Sequence, residues 1–204
     1  MKNKNVKTQT AGAMQSPSKS VWDKAFPFVA GALVLVIVAL IVAIILVKVG
    51  AFDAKPEDLS KYAPELASEE QYSEGNYKYA LLKDGNAIIT GLVTEAEDVT
   101  ELHIPSEIGG KRVTAIADKS FYLEMQINRA VIPEGVTYIG YQAFYGCVRL
   151  EMLSLPSTLT VIRECAFESC GYLDGVSFGG THEAWSGVKI GENNSALSYV
   201  LALG

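Results

Sequence analysis

The sequence predicts a solenoid of short parallel strands with a 23-residue period, preceded by a single transmembrane helix. Three observations carry this. An uncharged apolar run fills Phe28 to Val47. The segment from about Thr100 repeats at a fixed spacing. Within each repeat, apolar residues alternate over a short stretch, as they do in a strand with one buried face.

The chain has 204 residues, 49% of them hydrophobic, and a formal net charge of -6. That is enough for one medium domain with its own core. The charge is uneven. Residues 1–48 hold six Lys against one acid, Asp23, which leaves 11 bases against 22 acids in the rest. An acidic body of that size is repelled by phosphate, which argues against nucleic-acid binding. Three Cys in a chain this long make no disulfide scaffold.

Residues 1–26 are rich in Lys, Asn, Thr, Gln and Ser without an apolar period, and read as a flexible cytoplasmic tail. Residues 27–48 read as the membrane span. Phe28 to Val47 is FVAGALVLVIVALIVAIILV, long enough as a helix to cross a bilayer's hydrocarbon core of roughly 30 Å. Lys2, Lys4, Lys7, Lys19 and Lys24 precede it, and an acid-rich stretch follows, so the N-terminus is expected inside and the body outside. A cleaved signal peptide is the rival reading. Its apolar region is usually about 7–15 residues long, shorter than this run. Residues 49–76 read as an acidic spacer with Pro56 and Pro64, and a short helix is expected near Pro64–Ala67.

From Tyr77 onward the chain reads as a repeat domain with caps, residues 77–204. Asp84-Gly85 between two apolar runs predicts a hairpin that covers the first turn. Asn128–Leu150 and Glu151–Leu173 then align at a spacing of 23. Pro133 falls on Pro156, Ile139 on Ile162, Ala143-Phe144 on Ala166-Phe167, and Cys147 on Cys170. Thr100–Ile127 fits the same frame with five extra residues, Ile108 to Arg112. Leu102, Ala130, Leu153 and Val176 form one inward column, and Ile104, Ile132, Leu155 and Phe178 the next. Such turns bury their apolar residues only by stacking on their neighbours, and the ends need caps. Trp185, Ile190 and Leu197 are expected to cover the last turn.

The pattern Ile-Pro, Val-Thr-x-Ile, Ala-Phe-x-x-Cys and Leu resembles the BspA-type leucine-rich repeats of surface proteins. So do the lead-in Asp84–Gly91, the turn Gly109–Val113 and the ending Gly180–Trp185 with Ile190–Asn193. The resemblance covers about Tyr77 to the C-terminus. It implies an α/β leucine-rich-repeat solenoid, displayed at a cell surface for adhesion or ligand binding. It brings no catalytic residues, no cofactor and no metal. About three full turns leave a small face, which counts against a large protein ligand.

Outward strand positions are the candidate binding residues. They are Glu101, Arg129, Met152 and Gly175 in one column, and His103, Val131, Ser154 and Ser177 in the next. The six expected to matter most are Glu101, His103, Arg129, Val131, Met152 and Ser154. Mixed charge with apolar Met152 and Val131 suits a protein or glycan ligand, and equally suits a solvated sheet. His103 and His182 each lack zinc-ligand spacing. His182 beside Glu183 and Trp185 is a possible proton-transfer pair only in outline. Cys147 and Cys170 share a column and read either as a disulfide or as two buried thiols. Tyr138, Tyr141, Tyr145 and Tyr172 are candidates for exposed aromatic area at the edges. Two function classes result: membrane-anchored surface recognition, or a membrane subunit that binds a neighbouring membrane protein through its repeats; an enzyme such as a hydrolase is not expected, because the repeat columns show no cluster of titratable residues. The partners expected are the bilayer, through Phe28 to Val47, and a ligand on the sheet face.

Overall fold

The computed structural model describes residues 56–93, 99–198 and 200–202. The expected cytoplasmic tail (1–26), membrane helix (27–48) and bilayer contact through Phe28 to Val47 lie outside them. Among the described residues no helix is long and apolar enough to cross a membrane.

Strands β1 (Tyr72–Glu74), β2 (Tyr77–Leu81) and β3 (Ala87–Leu92) open the fold as an antiparallel meander. The β2–β3 turn is the one that Asp84-Gly85 predicts. Asp84 Oδ1 accepts the Asn86 N–H at 2.9 Å, and Gly85 supplies a φ of 85°. Then come β4 (Glu101–His103), β5 (Glu107–Ile108), β6 (Lys111–Ile116), β7 (Arg129–Val131), β8 (Tyr138–Ile139) and β9 (Met152–Leu155). The chain ends through β10 (Val161–Ile162), β11 (Gly175–Phe178), α1 (His182–Ser186), β12 (Lys189–Ile190) and β13 (Val200–Ala202).

Two sheets result. One runs β4-β7-β9-β11-β13, every neighbour parallel. Its register joins Glu101 to Arg129, Arg129 to Met152, and Met152 to Gly175, the columns that the repeat spacing predicts. The second runs β1-β2-β3-β6-β8-β10-β12. The sequence did not announce this second sheet. Its repeat strands β8, β10 and β12 are two residues long, too short to show an alternation. The five extra residues of the first turn also gain a role. Glu107–Ile108 pairs antiparallel with Lys111–Arg112 across Gly109-Gly110, whose φ values of 59° and 68° suit a tight hairpin.

One core lies between the two sheets. Leu102, Ala130, Leu153 and Val176 are at most 2% exposed. Phe121, Phe144 and Phe167 line up as a buried stack, with centroids 5.0 and 5.1 Å apart. Between β8 and β9 the chain does not form the helix that an α/β solenoid implies. It makes successive three-residue turns, such as Ala143 N–H to Gly140 O and Cys147 N–H to Phe144 O. Gln142 at φ 54° and Gly146 at φ 71° break any helical run, and Lys119, Cys165 and Ser169 repeat those kinks in their own turns. The described fold is therefore mostly sheet, and α1 is its only α-helix.

The ends are capped by side chains. Asn194 takes the place of a further backbone turn: its Oδ1 accepts the Phe167 N–H, and its Nδ2 donates to Arg163 O and Gly191 O, each at 2.9 Å. Trp185 packs on Phe178 at 5.2 Å, and Leu197 is buried. Ile190 does not join that cover; on edge strand β12 it is 39% exposed.

The described part of the expected spacer, residues 56–76, is folded onto the solenoid. A 3-10 helix spans Leu59–Tyr62, started by Asp58, whose carboxylate accepts the Ser60 N–H. No helix forms near Pro64–Ala67. Instead Leu66 bridges to Leu82, and Ala67 N–H donates to Leu81 O. Leu59 is 3% exposed and sits with Ala80, Leu82, Ile88, Ala115, Tyr138 and Val161 in a second apolar cluster. The outward residues of the second sheet explain this: without a cover, Tyr138 and Val161 would face water.

Candidate binding face

The first sheet alternates strictly. In β4, Leu102 points into the core while Glu101 and His103 are exposed. In β7, Arg129 is exposed, Ala130 buried and Val131 half-buried. In β9, Met152 is exposed and Ser154 half-buried. Parallel pairing stacks these outward residues at the inter-strand spacing of about 4.8 Å.

The face is graded along the stack. At the β4 end, Glu101 stands between an imidazole and a guanidinium: His103 Nε2 lies 3.4 Å from Oε2, and Arg129 Nε 3.9 Å from Oε1. All three side chains are roughly half exposed, so these contacts orient charge more than they add stability. In the middle, Met152 lies across Gly175, because a Cβ at 175 would overlap its sulfur. On the next strand, Ser177 Oγ sits 3.4 Å from Ser154 Oγ and 3.5 Å from Leu153 O. The face thus passes from charged, through thioether, to flat and polar.

Residues 95–187 match the family model described as BspA type leucine rich repeat region (6 copies). This stretch is a BspA-type leucine-rich repeat region. The leucine-rich repeat region is also similar to solved structures. A leucine-rich repeat protein from Bacteroides capillosus is 28% identical, with 67% of this chain and 100% of that chain covered, at a TM-score of 0.55. The T. pallidum leucine-rich repeat protein is 27% identical, with 60% of this chain and 64% of that chain covered, at 0.48. One from Bacteroides ovatus is 22% identical, with 65% and 41% covered, at 0.49. This chain therefore spans under two thirds of the T. pallidum and B. ovatus proteins. No curated protein matches the chain.

Of the six residues singled out in the sequence, Glu101, His103 and Arg129 form one charge cluster of the leucine-rich repeat face. Met152 and Ser154 neighbour Gly175 and Ser177, and Val131 pairs with Ser154 and His103. One supporting residue was missed. Tyr77 donates from its hydroxyl to His103 O at 2.6 Å and so caps the outer edge of β4. Burial pushes its phenol up to about 12. Tyr77 reads in sequence only as part of a hairpin strand, and nothing local marks its reach to residue 103.

The remaining candidates separate. His182 is exposed at the start of α1, while Trp185 turns back onto Phe178. Cys147 and Cys170 are buried free thiols of the repeat core, donating to Phe121 O and Phe144 O, each at 3.2 Å. Tyr138 is buried, Tyr141 and Tyr145 are half-buried, and Tyr172 is 70% exposed. Among the described residues no group of three or more His, Cys, Asp or Glu is placed to hold a metal ion.

Proposed function

We propose that this protein is anchored in the membrane through Phe28 to Val47 and presents its leucine-rich repeat face outside the cell for recognition of a protein or surface ligand. The observation that carries the reading is the first sheet's outward column. Glu101, Arg129 and Met152 stand in register on adjacent strands, exposed and differing in chemistry from turn to turn. A core-only role leaves such positions free to be uniformly polar. No catalytic step is part of this reading.

A second reading rests on the size of the face. Its strands are three or four residues long, and five strands at about 4.8 Å span only about 19–24 Å. With strands about 10–13 Å long, the face covers about 200–300 Å², well below the roughly 800 Å² per partner of a standard stable interface. A partner held in the same membrane supplies effective concentration in place of area. The alternative function is therefore a structural or regulatory membrane subunit that binds its neighbour through the repeats.

The test is capture on immobilised 56–204 fragment, wild type against Arg129→Glu/Met152→Glu. Surface recognition predicts ligand from cell-wall or host-surface material, lost in the variant. The subunit reading predicts instead a membrane protein that co-purifies with the full chain in mild detergent. Identical partners for both forms of the fragment would dismiss this face.

A further inference from the structure

Where the chain turns from the second sheet back to the first, successive repeats carry exposed apolar side chains. Tyr122, Leu123 and Met125 lie in the first such turn, Val148 in the second and Tyr172 in the third. They build one ridge. The Tyr122 and Tyr145 rings stack at 5.2 Å, and Leu123 lies over Gly146, where an added Cβ would overlap its side chain. Met125 N–H donates to Leu123 O and Val148 N–H to Gly146 O, both at 2.8 Å, so Met125 and Val148 stand at equivalent places one repeat apart.

Leu123 is the residue that the monomer does not account for. Its φ of 61° lies in the left-handed region, which a large side chain adopts at a cost. The next two repeats place Gly146 and Ser169 there, at 71° and 62°. A side chain that is at once strained, apolar and exposed adds little to the monomer's own core, and points to a partner.

The ridge also has a direction. Lys119 Nζ sits 5.9 Å from the centre of the Tyr122 ring, in the first turn. Tyr122, Tyr145 and Glu168 hold the same position in three successive repeats. The column therefore starts beside a cation and ends on a carboxylate, with Tyr145 at its centre. Among the described residues neither Lys119 nor Glu168 is in an ion pair. The apolar weight is skewed in the same way, with Leu123 and Met125 in the first turn and Tyr172 in the third.

That polarity fits a second copy of the same surface. A two-fold axis across the ridge at the second turn lays the first turn of one copy on the third turn of the other. Lys119 then meets Glu168 of the second copy, and Tyr172 of the second copy covers the Met125 side. Both contacts occur twice, and Tyr145 meets its own counterpart at the axis. Glu124 is drawn aside by Gln126, whose Nε2 donates to it at 2.6 Å. Arg149 falls near the axis and keeps its charge in water at the rim. An anionic bilayer or an acidic peptide would instead meet Glu124 and Glu168, on a body that already has twice as many acids as bases.

We propose that this ridge is a homodimer interface, in which two copies pair antiparallel about that axis. Three turns at about 4.8 Å give a patch well short of the roughly 800 Å² per partner of a standard interface, so the pairing is weak in solution. Two copies held in one membrane gain effective concentration, the one step that rests on the anchored reading.

The test is NMR translational diffusion in a dilution series of the 56–204 fragment. This piece forms a compact unit that holds the whole described core, and it lacks Phe28 to Val47, so the outcome does not depend on the anchor. Wild type is expected to dimerise with a Kd on the order of 0.1 mM. Lys119→Glu sets two carboxylates against each other at both ends and should weaken pairing about tenfold. Lys119→Glu/Glu168→Lys should restore it, which a merely structural role for either residue would not do. Leu123→Ser, the residue that the third repeat carries there, should also weaken the dimer, with the circular dichroism of the fold unchanged. A monomer up to about 1 mM would overturn the proposal. So would a double variant that pairs no better than Lys119→Glu alone, or a dimer indifferent to Leu123→Ser.

Discussion

Lys189 Nζ lies 2.8 Å from Glu57 Oε2, a contact across 132 residues that ties the segment carrying the Leu59–Tyr62 3-10 helix to the last edge of the second sheet. Lys61 holds the same carboxylate at 2.7 Å, and Lys189 also stands 5.2 Å over the Tyr62 ring. The segment therefore bridges every repeat strand of that sheet, with Leu59 seated in the cluster that includes Tyr138 and Val161. The apolar seat, not the exposed ion pair, should dominate the energy. Leu59→Ala should destabilise the 56–204 fragment by about 2–3 kcal/mol, the low end for a buried Leu because the segment can settle. Glu57→Gln should shift the urea midpoint very little. A larger effect of Glu57→Gln than of Leu59→Ala would invert this account.

Acid should loosen the same contact in a defined window. Hydrogen bonds from Lys189, then Lys61 and Tyr62, lower the Glu57 carboxyl from 4.5 to about 2. The folded value is depressed, so the contact is at full strength above about 4.5 and fades as pH falls towards 2. Carboxyl NMR titration of Glu57 should show the low midpoint, and Lys189→Met should return it only part of the way to the ordinary value, because the Lys61 and Tyr62 hydrogen bonds remain.

The Phe ladder predicts unequal costs within one column. Phe144 has a ring on both sides, Phe121 at 28° and Phe167 at 7°, and is fully buried. Phe144→Ala removes both ring contacts and leaves a central cavity, costing about 4–5 kcal/mol. Phe167→Ala loses one ring contact, beside the Asn194 cap, and should cost about 3 kcal/mol. Urea unfolding with an unchanged slope would measure both. Equal costs would mean that the rings do not act as a ladder.

How much of this was legible in sequence depended on element length. Leu102, Ala130, Leu153 and Val176 could be placed together because the first sheet's strands are long enough to alternate and recur at 23. Tyr138-Ile139 and Val161-Ile162 could not be called strands, because two residues carry no period. Leu59 stood as one apolar residue among charges and prolines, so its burial was invisible until the second sheet supplied a surface needing cover. Of the face, the columns were readable from spacing alone. The lean of Met152 over Gly175 and the reach of Tyr77 to His103 O were not, since both join positions fixed only by the folded chain.

On the proposed recognition face, charge and packing can be varied separately. Arg129→Glu/Met152→Glu should abolish ligand capture with only a modest loss of stability, about 1 kcal/mol, because the side chains are exposed but three carboxylates then stand in register on adjacent strands. Gly175→Ala adds no charge but displaces the flexible Met152 side chain from its place over the glycine. It should weaken capture several-fold with the fold intact. Surface plasmon resonance beside thermal melts would separate the effects. Loss of capture that tracks loss of stability would remove the face as the cause.

The cysteines predict a reactivity order that a disulfide would forbid. Cys147 and Cys170 donate to the carbonyls of Phe121 and Phe144, the same bond one repeat apart, and both are buried. Cys165, partly exposed, should therefore react first with a thiol reagent in the folded protein. The other two should react only as the solenoid unfolds, giving three labelled thiols in denaturant without reductant. Burial pushes the Cys147 thiol up and raises Cys170 from 9.0 to about 12. The folded fold thus favours neutral thiols. Their contribution is complete below pH 9, where unfolded thiols are also neutral, and falls as pH climbs towards 12. Cys170→Ala should lower stability at neutral pH, since it leaves Phe144 O without its thiol donor. It should also flatten the decline above pH 9, because one of the groups that drives it is gone. A variant that declines as steeply as wild type would show that alkaline unfolding is driven by other groups, such as the half-buried Tyr77 and buried Tyr138 phenols, which desolvation also raises.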